Sequence, residues 1–143
     1  MSDKKKILIV NGANLNLTGQ REQSIYGKQD FDSFLNALRQ EFADKCQIDY
    51  YQSNIEGEIV NALQAFKGDT VIINAGGYTH TSVVIRDAVS AISIPCIEVH
   101  ISNLFARETF RHVSLLSPVC KGTITGFGLE GYRLAVSAAL KQG

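Results

Sequence analysis

Val71-Ile72-Ile73-Asn74-Ala75-Gly76-Gly77-Tyr78-Thr79-His80-Thr81-Ser82 is the stretch whose reading decides the fold. A short β-branched run ends abruptly in amides, glycines, an imidazole and hydroxyls. The pattern recurs twice. Ile7-Leu8-Ile9-Val10 runs into Asn11-Gly12-Ala13-Asn14, and Cys96-Ile97-Glu98-Val99 runs into His100-Ile101-Ser102-Asn103. Continuous apolar runs of this length read as central strands of a parallel sheet, covered on both faces. In open α/β sheets ligands bind beyond the carboxyl ends of such strands, where the strand order reverses. Polar groups gathered at that edge cost stability if left unpaired, so the three clusters are expected to face a polar ligand.

Outward from these runs, strand and helix alternate along the chain, which predicts a parallel sheet with helices on both faces. Phe31, Phe34, Leu35, Leu38 and Phe42 fall at helical spacing behind Asp30, an N-cap residue type. Ile48-Asp49-Tyr50-Tyr51 reads as a more polar strand at an edge. Ile55, Ile59, Leu63 and Phe66 predict a helix entered through a capping box from Ser53 to Glu56 and ended at Gly68. The next helix carries Val84, Ala88, Ala91 and Ile92 and stops before Pro95. Gly122-Thr123-Ile124-Thr125 is a short fifth strand. The closing helix, residues 132–140, is apolar almost all round, which predicts burial against the sheet or a neighbouring subunit. The expected architecture is α/β: a flavodoxin-like three-layer fold with a five-stranded parallel sheet in the order 2-1-3-4-5, forming a single domain over residues 1–143.

At 143 residues the chain is long enough to bury one real core. Fourteen basic and fourteen acidic residues cancel, so no basic field exists to hold a nucleic-acid backbone. Cys46, Cys96 and Cys120 are odd in number and unpaired in spacing, and read as reduced thiols of a cytoplasmic protein. The lysines before residue 7 resemble a signal n-region, but the apolar run behind them lasts four residues against the ~7–15 that such a segment needs. No run approaches the ~18 apolar residues of a membrane span.

Gly126-Phe127-Gly128-Leu129-Glu130-Gly131 matches a dinucleotide fingerprint in form only. Too little chain follows for a second strand and its ribose-binding acid, so the glycines are expected to serve a tight strand-to-helix turn. No glycine-rich loop ends in the Gly-Lys-Ser/Thr of a phosphate loop. His80, His100 and His112 lack zinc-protease spacing and have no cysteine pair beside them. A phospho-receiver site would need carboxylates where Asn11 and Asn74 stand. His80 and His100 lie at strand ends beside the crevice, which favours proton transfer or hydrogen bonding. The segment 15–28 is longer than the usual ~2–6-residue strand-to-helix connection, and holds Arg21, Tyr26, Gly19 and Gly27. A mobile active-site lid is the expectation there.

Assembled in order, NGANLNLTGQREQSIYG (residues 11–27), NAGGYTHTS (74–82), EVHISN (98–103), FRHVS (110–114) and the GxGxxGY of residues 126–132 make the chain resemble the type II 3-dehydroquinate dehydratases. Departures are small. Thr18 and Gln23 stand where the family more often has leucine and proline, and Ala75 and Gly77 alter its usual asparagine-proline-glycine-alanine start.

The resemblance implies dehydration of 3-dehydroquinate to 3-dehydroshikimate through an enolate, in the shikimate pathway to chorismate and aromatic amino acids. It implies no cofactor, metal or Schiff base, and no lysine follows the crevice strands to form an imine. Carried over residue by residue, it makes Tyr26 the base and His100 the acid, with Arg21 favouring the phenolate. Asn11 would shelter the enolate, and Glu98 would orient His100. Substrate binding would fall to Asn74, His80, the Ile101 and Ser102 amides, and Arg111. The resemblance further implies trimers, assembled into a dodecamer, with Asp87 reaching a neighbour's site. The competing class is a non-catalytic flavodoxin-like small-molecule or nucleotide-binding module. Tyr26, Arg21 and His100 together argue against it, because a binding module needs no matched base and acid.

Overall fold

The computed structural model describes residues 4–17 and 30–141. Five strands form one parallel sheet: β1 (Lys5–Asn11), β2 (Cys46–Gln52), β3 (Thr70–Asn74), β4 (Cys96–His100) and β5 (Gly122–Thr125). Their order is β2-β1-β3-β4-β5, as the sequence predicts, with the more polar β2 at one edge. Among the described residues four α-helices cover it: α1 (Phe31–Glu41), α2 (Glu56–Ala65), α3 (Val83–Ala91) and α4 (Glu130–Lys141). No helix among the described residues is long and apolar enough to cross a membrane.

Strand alternation divides the interior into two cores. Ile7, Ile9, Ile72, Ile97 and Val99 point toward α1 and α4, where they meet Leu35, Leu38, Ala135 and Val136. Leu8, Val10, Val71, Ile73 and Cys96 point the other way, onto Ile59 and Leu63 of α2 and Ile85, Ala88 and Val89 of α3. Completely burying an aliphatic side chain of this size contributes about 1.5–3 kcal/mol, so the central strands anchor both layers.

Local signals set most boundaries. Asp30 caps α1 by accepting from the Ser33 amide at 2.8 Å. Ser82 does the same for α3, accepting from the Ile85 amide at 3.0 Å. The expected capping box at α2 does not form. Ile55 is the cap residue, while Ser53 accepts from the Ile55 amide and donates to Glu58 at 2.6 Å. Glu56 instead accepts from the Ser82 hydroxyl, joining the starts of α2 and α3. That helix ends at Ala65, ahead of Gly68. The stripe expected on α3 holds at Ala88 and, partly buried, at Ile92, while Val84 and Ala91 give way to Ile85 and Val89. Ile85, Ala88 and Val89 face the sheet, whereas Val83 and Val84 are exposed, because α3 begins at Val83 and its rotation follows from that cap. Helix α4 buries Tyr132, Ala135, Val136 and Ala139, and leaves Leu134 partly exposed.

Two glycines let the ends of β1 and β3 approach each other. A Cβ on Gly12 would stand 2.3 Å from the Ala75 carbonyl oxygen, and one on Gly76, at φ +63°, would stand 2.7 Å from the Ala13 oxygen. The Gly12 amide donates to the Asn74 carbonyl at 2.7 Å across this contact. At the other glycine cluster, Gly126 and Gly128 adopt φ of 97° and 63°, supplying the tight turn from β5 into α4 expected of them.

Candidate active site

A cavity of about 220 Å³ opens beyond the carboxyl ends of β1, β3 and β4. Asn74, Gly76, Gly77 and His80 line it from the β3 end, and His100, Ile101 and Ser102 from the β4 end. Ala13, Asn14, Leu15 and Leu17 close the β1 side, with Arg107, Glu108 and Arg111 opposite. The structure thus brings His80, His100, Asn74, Ile101, Ser102 and Arg111 to one place, as expected. Arg21, Tyr26 and most of the expected lid at 15–28 lie outside the described residues.

One end of the cavity is built on β4. Glu98 and His100 are two residues apart, so both side chains leave the same sheet face. Glu98 Oε2 lies 2.5 Å from His100 Nε2. Since a carboxylate only accepts, Nε2 carries the proton, and Nδ1 is left without a partner among the described residues. Glu98 is wholly buried. Three further hydroxyls donate to it: Ser114 to Oε2 at 2.6 Å, and Ser117 and Thr123 to Oε1 at 2.5 and 2.9 Å. Burial on its own pushes the Glu98 carboxyl up. The hydrogen bond and charge of His100 and the donations of Ser114 and Ser117 outweigh that, bringing it down to about 2. A permanent anion therefore sits behind the imidazole.

His80 is held differently. Its Nδ1 lies 2.8 Å from the Val113 carbonyl. A carbonyl cannot donate, so Nδ1 bears a hydrogen, and Nε2 is the nitrogen left to face a ligand. The Ile101 and Ser102 amides donate to no backbone oxygen among the described residues. Two adjacent backbone N–H groups of this kind suit an anionic oxygen. Arg111 donates to Glu108 at 2.9 Å and lies 5.0 Å from the centre of the Phe110 ring, so both partners fix its guanidinium at the cavity wall.

Asn11 is not brought to the cavity. Strand parity turns Asn11 and its register partner Asn74 toward α4, away from the Glu98–His100 face. There the fully buried Tyr132 hydroxyl donates to Asn11 Oδ1 at 2.7 Å and accepts from Asn74 Nδ2 at 2.9 Å. Asn11 Nδ2 donates to the Tyr50 hydroxyl at 3.3 Å. The enolate-sheltering amide expected of Asn11 is thus committed to two tyrosines in this arrangement. Asn74 does line the cavity, with its Oδ1 accepting from the Gly76 amide at 3.2 Å. Asp87 lies outside the cavity on the exposed side of α3, paired with Arg86 at 3.0 Å.

Sequence reasoning missed Arg107, Tyr132 and the three hydroxyls on Glu98. Arg107 donates to the Ser102 hydroxyl at 3.3 Å from the cavity wall. Its signal was an arginine pair four residues apart, Arg107 and Arg111, just after a crevice strand. For Tyr132 the test is Tyr132→Phe, which leaves Asn11 Oδ1 and Asn74 Nδ2 unpaired. Urea unfolding should show a loss of about 1–3 kcal/mol, with a several-fold rise in KM because Asn74 is no longer fixed.

A doubly wound α/β fold with a buried carboxylate–imidazole pair at its switch point defines a small-molecule enzyme rather than a scaffold. The chain belongs to the class II dehydroquinase family: the family model described as "Dehydroquinase class II" matches residues 5–140. It is 53% identical over 137 residues to a 3-dehydroquinate dehydratase of Fusobacterium nucleatum, covering 92% of this chain and 93% of that one. One of Exiguobacterium is 50% identical, covering 95% and 94%. Among solved structures, the type II dehydroquinase of Butyrivibrio crossotus superposes with a TM-score of 0.93 at 43% identity, over 96% of this chain and 99% of that one.

Proposed function

We infer that this chain dehydrates 3-dehydroquinate to 3-dehydroshikimate, a step of the shikimate pathway. The Glu98–His100 pair facing the cavity is the observation that carries the reading. Loss of water from a β-hydroxy ketone requires removal of a proton beside the ketone and protonation of the departing hydroxyl, with an enolate between. His100, when protonated, is the acid: Glu98 takes one ring N–H and favours the positive charge, and Nδ1 delivers its proton to the leaving oxygen. The family resemblance makes Tyr26 the base, with Arg21 of the same segment favouring the phenolate, and both lie outside the described residues. The Ile101 and Ser102 amides receive the substrate carboxylate. Asn74 and Arg111 hold its hydroxyls, and His80 faces one through Nε2. Asn11 contributes at one remove, through Tyr132. The assay is direct. The protein is mixed with 3-dehydroquinate, and the conjugated enone product is followed by its ultraviolet absorbance. No absorbance gain over a heat-treated control would overturn the reading.

The exposed face of α3 supports the assembly that the family resemblance implies. Val83 and Val84 are exposed apolar residues one turn before Asp87, with exposed Ile55 at the start of the neighbouring helix. We propose that this face meets another copy, in trimers and in a dodecamer of four trimers, with Asp87 completing a neighbour's cavity. Val84→Asp should lower the mass seen by light scattering and raise KM. A wild-type protein that is monomeric and fully active would overturn both the assembly and the shared site.

A further inference from the structure

We propose that Ser114 is a positioning residue, holding both cavity histidines in register through one short strap, residues 113–117. The inference rests on His100 being the proton donor in the reaction above. The strap is tied at each residue that matters. The Val113 carbonyl accepts from His80 Nδ1 at 2.8 Å, and the Leu115 amide donates to the Thr79 carbonyl at 2.9 Å. The Ser114 hydroxyl donates to Glu98 Oε2 at 2.6 Å, and the Ser117 hydroxyl to Oε1 at 2.5 Å. One peptide unit therefore separates the atom that seats His80 from the atom that seats the carboxylate behind His100.

The direction of the Ser114 bond is fixed by counting. A hydroxyl has one hydrogen and two lone pairs. The Leu116 and Ser117 amides both donate to Ser114 Oγ, each at 3.0 Å, which uses the lone pairs. The hydrogen is left for Glu98. Ser114 and His100 consequently share one carboxylate oxygen, Oε2, whereas Ser117 and Thr123 share the other. Two donors on one oxygen compete for its charge. Ser114 thus limits how strongly Glu98 holds the imidazolium, and at the same time fixes where the carboxylate points.

A Ser114 substitution removes none of the other ionisable groups around the pair. His80, Arg107, Glu108 and Arg111 line the same cavity, and Cys120 senses the Glu98 charge from the side of β5 while Cys96 lies on β4 itself. With Ser114→Ala, Oε2 is left to His100 alone and the imidazolium is held more firmly. The alkaline limb of the kcat/KM profile should move up by about half to one pH unit, and kcat should fall about tenfold as the acid becomes a more reluctant donor in a looser seat. Ser114→Thr keeps the hydroxyl and should restore both. A destabilised Ser114→Ala enzyme with the wild-type limb and kcat would show Ser114 to be structural only, overturning the proposal. Where Ser114→Ala yields no folded protein, Ser114→Cys retains an acceptor for the two amides and only a weak donor, and should move the limb in the same direction; an unmoved limb overturns the proposal. NMR titration of the His100 ring in the ligand-free protein, wild type against variant, separates two failures. A ring that titrates higher in the variant while His100→Asn keeps full turnover disproves the acid assignment and leaves the Ser114 coupling standing.

Discussion

His100→Asn should lower turnover of 3-dehydroquinate by about 10²–10⁴-fold, the usual cost of losing a positioned acid, while leaving product affinity within a few-fold of wild type. The split is expected because the groups assigned to binding stand on other elements. Asn74 ends β3 and His80 follows it, and Arg111 sits on the turn Thr109–Arg111. The Ile101 and Ser102 amides belong to the backbone and survive any change at residue 100. Asparagine keeps a donor for Glu98, so the buried carboxylate is not stranded and the variant remains folded. Tyr26→Phe should cost as much, through the other half of the proton transfer. Steady-state turnover of each variant, together with a binding titration, checks both. Near-wild-type turnover in either one would mean that the proton takes another route.

The parts of this arrangement that were legible in the sequence are those set by local chemistry. Runs such as Val71-Ile72-Ile73 admit little besides a buried strand, and their polar ends marked the cavity edge. Asp30, one residue ahead of an apolar stripe, announced the start of α1. The short strand Gly122–Thr125 is bounded as its turn residues predict. Legibility fails where a long-range partner decides. Ser53 had the spacing of a capping box, but Glu56 is drawn to Ser82, 26 residues away. Asn11 ends a strand at the right edge, yet its side chain belongs to the face covered by α4, and Tyr132 reaches it across 121 residues of sequence. Ser114, Ser117 and Thr123 look like ordinary loop and edge-strand hydroxyls until folding gathers them on Glu98. Motif resemblance supplied the family roles of His100 and Glu98. The geometry adds which nitrogen of each histidine is occupied, and by what.

Glu98→Gln should produce the largest change in stability, confined to the pH range where the wild-type carboxylate is charged. The side chain is wholly buried, so desolvation opposes its charge, and the folded state keeps it ionised only because His100, Ser114, Ser117 and Thr123 all donate to it. Its folded pKa of about 2 lies below the ordinary 4.5, so the native state binds this proton less readily than the unfolded chain does. The resulting stabilisation is fully present above the unfolded value. It is lost progressively as pH falls from about 4.5 to about 2, and amounts to about 3 kcal/mol. Glutamine cannot titrate, and its amide nitrogen turns a donor toward hydroxyls that are themselves donating. Urea unfolding at pH 7 should therefore find the variant weaker by about 3 kcal/mol or more, as for other broken buried charge networks. At pH 2 the two proteins should nearly coincide, because the wild-type carboxylate is by then substantially protonated. Parallel stability profiles for wild type and variant between pH 5 and pH 2 would show that the four donors do not hold an anion. His100 would then lack the fixed negative charge that makes it a proton donor.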